Sequence, residues 1–112
     1  MSGRMNATVE FVSPETARQW QAAGEAVIVD VREPHEYAEV RIPGATLNPL
    51  SAFDPARLPP HAGKRLLLHC KSGVRCGMAS QIAVAAGESG PIYRLQGGIM
   101  AWIAAGGPVE TG

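Results

Sequence analysis

The segment LLLHCKSGVRC, which runs from Leu66 to Cys76, joins the end of a buried strand to the start of a helix. Its apolar run ends at Cys70, turns at Gly73 and reaches Arg75, where helical periodicity begins. This order places a thiol at the carboxyl end of a strand, facing the amide groups that open a helix. Unpaired amides and the positive end of the helix dipole both favour an anion. A thiolate is such an anion, and the segment therefore predicts a nucleophilic sulfur.

The composition of the turn supports an ionised thiol. A cysteine with a pKa of about 8.5 is only a few per cent ionised at pH 7, and a helix N-terminus or nearby cations lower that pKa by roughly one to several units. Lys71 and Arg75 supply cations, and Gly73 lets successive amides converge on one centre. The alternative is a buried structural cysteine, which a lone cysteine would favour. The Lys-Ser-Gly-Val-Arg run behind Cys70 makes the functional interpretation the stronger one.

Strand and helix signals alternate along the rest of the chain. The predicted strands are Thr8–Val12, Ala26–Val31, Thr46–Asn48, Arg65–His69 and Ile92–Leu95. The predicted helices are residues 14–23, Pro34–Ala38, Cys76–Ala86 and Gly98–Ala105, with a proline-rich loop over Pro49–Pro60. This alternation predicts an α/β fold with a central, mostly parallel five-stranded sheet and helices on both faces.

Length and composition predict one soluble domain over residues 1–112, with mobile ends at residues 1–6 and 108–112. Hydrophobic residues make up 46%, charged residues 18%, and the formal net charge is zero, so nucleic acid and membrane surfaces are not expected partners. The sequence shows neither a membrane span nor a secretory signal pattern. Two cysteines without such a signal predict free thiols in a reducing compartment, with the cytoplasm as the default.

Four blocks of the sequence together resemble the single-domain rhodaneses, which are rhodanese-like sulfurtransferases. The loop from Cys70 to Arg75 resembles the active-site loop of that family. The other blocks are Val29-Asp30-Val31-Arg32 with Glu36-Tyr37, Ile42-Pro43-Gly44-Ala45, and Leu95-Gln96-Gly97-Gly98-Ile99 with Ala101-Trp102. They occur in family order and extend from about Ile28 to Pro108, so the resemblance covers nearly the whole chain and implies a rhodanese-like fold.

The resemblance implies a persulfide cycle with no cofactor. Cys70 would take sulfur from a small anionic donor such as thiosulfate, or from a persulfide, and pass it to cyanide, a thiol or a protein. The substrate-binding loop would consist of Lys71, Ser72, Gly73, Val74, Arg75 and Cys76. The six-residue count from Cys70 to Arg75 is the one that the resemblance associates with sulfur transfer. Phosphatases and arsenate reductases of the same fold use one more residue, and that chemistry is therefore the weaker alternative.

This chain departs from the family pattern at two places. Val40-Arg41 stands where Gly-His often precedes the Ile-Pro-Gly-Ala turn, which affects packing more than chemistry. Cys76 stands where a Ser or Thr usually caps the helix. It is either a near-isosteric replacement or a resolving thiol that closes a disulfide with an oxidised or persulfidated Cys70. Both interpretations stay open at this point.

Three further polar residues lie near the predicted site. Asp30 ends a buried strand and should bond backbone amides or a nearby cation, as an organiser of the site. Arg32 either adds positive potential at the pocket mouth or forms a surface ion pair with Glu33 or Glu36. His69 adjoins Cys70, but strand alternation points its ring away from the thiol and favours a structural role.

The remaining alternatives concern partners. The histidines and cysteines lack metal-ligand spacing, so no metal site is predicted. A binding or regulatory module that kept the fold without turnover is the main alternative to an enzyme, although such modules commonly lose the nucleophile. A sulfur-relay carrier that exchanges sulfur with another protein is a third. Nothing in the sequence predicts an oligomeric state.

Overall fold

A computed structural model describes residues 8–112 and shows an α/β architecture. The strands are β1 (Val9–Val12), β2 (Ala26–Asp30), β3 (Val40–Arg41), β4 (Thr46–Leu47), β5 (Arg65–His69), β6 (Ile92–Leu95) and β7 (Glu110–Thr111). The helices are α1 (Pro14–Ala22), α2 (Pro34–Glu39), α3 (Arg75–Ala85) and α4 (Gly98–Ala104). No helix in this part of the chain is long and apolar enough to cross a membrane.

The central sheet has five parallel strands in the order β1-β6-β5-β2-β4. Its middle strands, β2 and β5, are rich in β-branched residues and leucine because both of their faces are covered. Their register pairs Ile28 with Leu67 and Asp30 with His69. The predicted α/β fold with a parallel five-stranded sheet is confirmed, and the paired strands end together at one edge.

The sheet separates two apolar layers, so side chains that alternate along a strand enter different layers. Helix α3 covers a layer made of Val29, Val31, Leu66, Leu68, Cys70, Cys76, Ala79, Ala83 and Ile92. Helices α1 and α4 cover the other layer, made of Ala17, Ile28, Ile42, Ala45, Leu67, Leu95, Ile99 and Trp102. Helices therefore lie on both faces, and Cys70 belongs to the face of α3.

A second, two-stranded sheet involves the carboxyl-terminal residues and differs from the sequence prediction. Residues 108–112 are predicted to be a mobile end, whereas β7 pairs antiparallel with β3 and Arg41 Nε lies 3.4 Å from Glu110. The indole of Trp102 donates to the Pro108 carbonyl at 2.8 Å and anchors the start of this segment. Two-residue strands carry no periodicity, which is why the pattern missed them. The other predicted mobile end, residues 1–6, lies outside the described residues.

Candidate active site

Cys70 lies at the carboxyl edge of the sheet, directly after β5 and before α3. It continues the alternation of Leu66 and Leu68, so its side chain enters the layer under α3. Helix α3 begins at Arg75, and Val74 precedes it without a side-chain cap. The uncapped amides of the turn are therefore available to another acceptor, and the Cys70 sulfur is the group that they meet.

Hydrogen-bond donors surround the Cys70 sulfur although the residue is only 1% exposed. The Gly73 amide donates to Sγ at 3.1 Å. The Cys76 thiol makes the largest contribution to lowering the pKa of Cys70, and the amides of Cys76, Gly73 and Ser72 add to it. Burial acts in the opposite direction, yet the pKa falls to about 4. With this pKa, Cys70 is a thiolate at neutral pH, whereas its role as a nucleophile stays a prediction.

Cys76 serves this thiolate as a neutral donor. Both cysteines are free and buried, and the pKa of Cys76 is raised, first by its hydrogen bond to Cys70 and then by burial. The geometry directs the single S–H of Cys76 to the Gly73 carbonyl at 3.4 Å, and the Cys70 thiolate competes for the same proton. A charged thiolate is the stronger acceptor of the two. Cys76 thus lies at the start of α3 in contact with the thiolate, and the resolving role stays a prediction.

The amino end of α4 holds the backbone of the loop from the other layer. The Ile99 amide donates to the Cys70 carbonyl at 2.9 Å, and the Met100 amide donates to the Lys71 carbonyl at 3.2 Å. Gly98 has a φ of +63°, and a Cβ there would overlap the carbonyl group of Lys71. Only glycine permits this approach, so the Gly97-Gly98 turn of the carboxyl-terminal motif docks α4 against the loop.

Arg75 connects the loop to α2 instead of presenting a free charge. Its Nη1 and Nη2 donate to the two carboxylate oxygens of Glu36 at 2.7 and 3.0 Å. This pairing lowers the pKa of Glu36 to about 2 and raises that of Arg75. Glu36 belongs to one of the family-like blocks of the sequence, but nothing in the sequence pairs it with Arg75. Locally, Glu36 forms a capping box with Glu33 at the start of α2. Its ion-pair partner, Arg75, is 39 residues away in the sequence.

Asp30 and Arg32 form a buried pair next to the loop. Asp30 accepts from the Arg32 amide at 2.9 Å and from Arg32 Nη2 at 2.7 Å. Asp30 thus bonds both of the groups that were expected as alternatives, a backbone amide and a cation, whereas its role as an organiser of the site stays a prediction. The predicted surface ion pair of Arg32 with Glu33 or Glu36 is wrong, because Arg32 is 3% exposed and its other contact is the Val40 carbonyl at 2.6 Å. Asp30 neutralises the charge that Arg32 would bring to the pocket mouth.

His69 is fully buried on the side of the sheet opposite to the Cys70 thiol. Its Nδ1 lies 3.3 Å from the Cys70 carbonyl, and its Nε2, 3.6 Å from Asp30, has no hydrogen-bond partner among residues 8–112. Burial is the largest influence on its pKa, which is lowered, so the imidazole is neutral. This position agrees with the expectation that the His69 ring points away from the Cys70 sulfur. His69 supplies no base to the thiol.

The outer surface of the loop is open to solvent. Lys71, Ser72 and Val74 are exposed, whereas Gly73 is buried with a φ of +104°. Lys71 borders a cleft of about 360 Å³ that is also lined by His35, Glu39 and residues of α4. In the described part of the chain, no group of three or more His, Cys, Asp or Glu side chains is placed to hold a metal ion.

Comparisons with known proteins agree with the family resemblance of the sequence motifs. The Rhodanese-like domain family matches residues 13–105. An uncharacterized protein of Synechocystis is 40% identical over 97 residues, which are 87% of this chain and 54% of that protein. The thiosulfate:glutathione sulfurtransferase of Saccharomyces cerevisiae is 35% identical over 72% of this chain and 67% of its own length. The structure of a thiosulfate sulfurtransferase from Pseudomonas aeruginosa superposes with a TM-score of 0.81 at 29% identity, covering 93% of this chain and 20% of that one. The chain spans about half the length of the Synechocystis relative.

Proposed function

The chain belongs to the rhodanese-like domain family, and we propose on that premise that it is a sulfurtransferase which carries sulfur as a persulfide on Cys70. The observation that carries this proposal is the ring of donors around the Cys70 sulfur, which lowers its pKa to about 4. A thiolate that is already formed at neutral pH needs no neighbouring base. The nearby His69 is neutral and lies on the other side of the sheet, which is consistent with a thiolate that needs no base.

The first step loads the enzyme. The Cys70 thiolate attacks the outer sulfur of thiosulfate, a new S–S bond forms, and the S–S bond of thiosulfate breaks. Sulfite leaves with the bonding electron pair, so no external oxidant or reductant is needed. The loop amides that bind the thiolate also stabilise the negative charge of the persulfide.

The second step unloads the enzyme. A thiolate, cyanide or another nucleophile attacks the outer sulfur of the persulfide, and the Cys70 thiolate leaves. Its low pKa makes it a good leaving group. The same donors therefore serve both half-reactions, because each begins or ends with charge on the Cys70 sulfur.

The burial of Cys70 limits the donor more than the acceptor. Because the Cys70 residue is only 1% exposed, we expect the donor to be a small molecule that presents a terminal sulfur, as thiosulfate does. Loading moves the reactive sulfur outward by one S–S bond of about 2.05 Å. Larger acceptors, such as a peptide thiol or a protein, then reach it more easily. The names of the yeast and Pseudomonas relatives make thiosulfate the first donor to test.

Intact-mass measurement tests the proposal. After incubation with thiosulfate and desalting, we expect the wild type and Cys76→Ser to gain about 32 Da, the mass of one sulfur atom, and Cys70→Ser to gain nothing. Absence of the adduct with thiosulfate and with small persulfide donors would refute the proposal and favour a binding module. Turnover with cyanide, compared with transfer to glutathione and to thiol proteins, then separates an enzyme from a relay carrier.

A further inference from the structure

Arg94, in β6, contacts the inner side of the loop that carries Cys70. Its Nη2 donates to the Gly73 carbonyl at 2.6 Å, and its Nε donates to Cys76 Sγ at 3.3 Å. Gly73 and Cys76 both donate to the Cys70 sulfur. We propose that Arg94 is a positioning residue of the sulfur site, which acts by holding these two donors against Cys70.

The geometry requires a guanidinium at this position. Two donors of one rigid plane satisfy a carbonyl of the loop and a sulfur of α3 at the same time, whereas an ammonium is a single point charge. Phe11, which is opposite Arg94 in the register of β1 and β6, packs its ring 4.2 Å from the guanidinium carbon. The guanidinium plane of Arg94 therefore packs against the Phe11 ring on one face, and its edge donates to the Gly73 carbonyl and the Cys76 sulfur.

Gly77 provides the space for this guanidinium. It lies in the first turn of α3, where alanine would be the more favourable residue. A Cβ at Gly77 would lie 2.9 Å from Nη2 and 3.1 Å from Cζ of Arg94, so the guanidinium would have to move. The absence of a side chain at this helical position is thus coupled to the position of Arg94.

Arg94 also differs from the other arginines of the site in its charge environment. Arg32 is paired with Asp30, and Arg75 with Glu36, whereas no carboxylate lies within ion-pair distance of Arg94 among residues 8–112. The other titratable or charged groups around Cys70 are Cys76 and Arg75 of α3, His69 of β5, and Lys71 in the loop. The positive charge of Arg94 is therefore not offset by a carboxylate, and its contacts go to the Gly73 carbonyl and the Cys76 sulfur.

A spectroscopic titration of the full chain tests this role. The ultraviolet absorbance of the Cys70 thiolate is followed against pH, with the matching Cys70→Ser protein as background. We expect Arg94→Met to raise the midpoint by about one unit, with a thiolate fraction about fivefold lower at the wild-type midpoint. Arg94→Lys should raise the midpoint less, because it keeps the charge and loses one donor. Gly77→Ala, which retains Arg94 and improves helix propensity, should raise it as well.

Arg65→Met is the matched control, since Arg65 also stacks on an aromatic ring, that of Trp20 at 4.6 Å, but at the start of β5. It should leave the midpoint unchanged. Should Arg94→Met fail to fold, Arg94→Lys and Gly77→Ala decide the question. Midpoints equal to that of the wild type in these two variants would overturn the proposal. The inference rests on the proposed role of Cys70, but the titration uses no sulfur donor. A shifted midpoint in a protein that fails to load sulfur would therefore contradict the proposed function alone.

Discussion

Replacing Cys76 with alanine removes one donor from the Cys70 sulfur and leaves the amides of the loop in place. The Cys76 thiol contributes most to the low pKa of Cys70, ahead of the amides of Cys76, Gly73 and Ser72. The raised pKa of Cys76 keeps it protonated at neutral pH, so it donates whenever Cys70 is ionised. We therefore expect Cys76→Ala to raise the pKa of Cys70, whereas Cys76→Ser retains a donor and keeps that pKa low.

The size of the effect follows from hydrogen-bond energies. A hydrogen bond to a charged group is worth about 1.5–3 kcal/mol, and a thiol is a weak donor, so the lower value applies. About 1.5 kcal/mol corresponds to roughly 1.1 pKa units. The pKa of Cys70 then rises from about 4 to about 5. Near pH 4, the ionised fraction falls from about one half to less than one tenth.

At neutral pH the same substitution has the opposite effect on reactivity. Both proteins are almost fully ionised there, and the more basic thiolate is the better nucleophile. With a Brønsted coefficient of about 0.4–0.5, attack on sulfur becomes about threefold faster. The rate profile of Cys76→Ala should therefore cross that of the wild type, lying about twofold below it near pH 4 and about threefold above it near pH 7.

The assay is the rate of reaction with a small neutral aromatic disulfide across this pH range, followed by the coloured thiol that it releases. Cys76 does not compete in the wild type because its raised pKa keeps it un-ionised. Superimposable profiles for the wild type and Cys76→Ala would refute the reasoning. Equal displacement of the Cys76→Ser and Cys76→Ala profiles would also refute it, since packing rather than hydrogen bonding would then be responsible.

The remaining predictions concern stability and oxidation. Glu36→Gln should cost about 1 kcal/mol of unfolding free energy at neutral pH in urea titrations, since the ion pair is partly solvated; a cost that is undiminished near pH 3 would contradict the ion-pair origin. The pKa of Glu36 is about 2 in the folded protein and 4.5 when unperturbed. The contribution of the ion pair to the unfolding free energy is therefore complete above pH 4.5 and is lost as the pH falls towards 2. Gly98→Ala should destabilise by about 2–4 kcal/mol, through its left-handed backbone and overlap with the loop. Gly63 has a φ of +78° with open space around it, so Gly63→Ala should lose only the free energy due to the left-handed backbone. Equal losses of unfolding free energy in the two variants would show that overlap with the loop contributes nothing at Gly98. If Cys76 is a resolving thiol, peroxide should produce a disulfide with Cys70 that Cys76→Ser cannot form; identical oxidation products and inactivation rates in both proteins would exclude that role.

The local part of the site could be predicted from the sequence because its residues are contiguous. The strand, the cysteine and the turn at Gly73 place the thiol among loop amides wherever the segment folds in this way. Family membership and the parallel sheet, predicted from short motifs and from alternation, are confirmed. The thiosulfate specificity and the cytoplasmic location stay predictions.

The long-range contacts could not be predicted in the same way. Glu36 meets Arg75 across 39 residues, and Arg94 meets Gly73 across 21. No local pattern pairs Glu36 or Arg94 with the loop, and only the packing of α2 and β6 around the loop shows their partners. Arg94 did carry one usable signal, since alternation with Ile92 places it on the face of α3.

The pH dependence of persulfide formation from thiosulfate is the most direct test of Cys70 as a preformed sulfur nucleophile. Loading would be followed by intact mass in the wild type. We predict a loading rate that stays nearly constant from about pH 8 down to about pH 5, because the thiolate is the dominant species throughout. A rate that falls about tenfold for each unit below pH 8 would show an ordinary thiol and contradict the account.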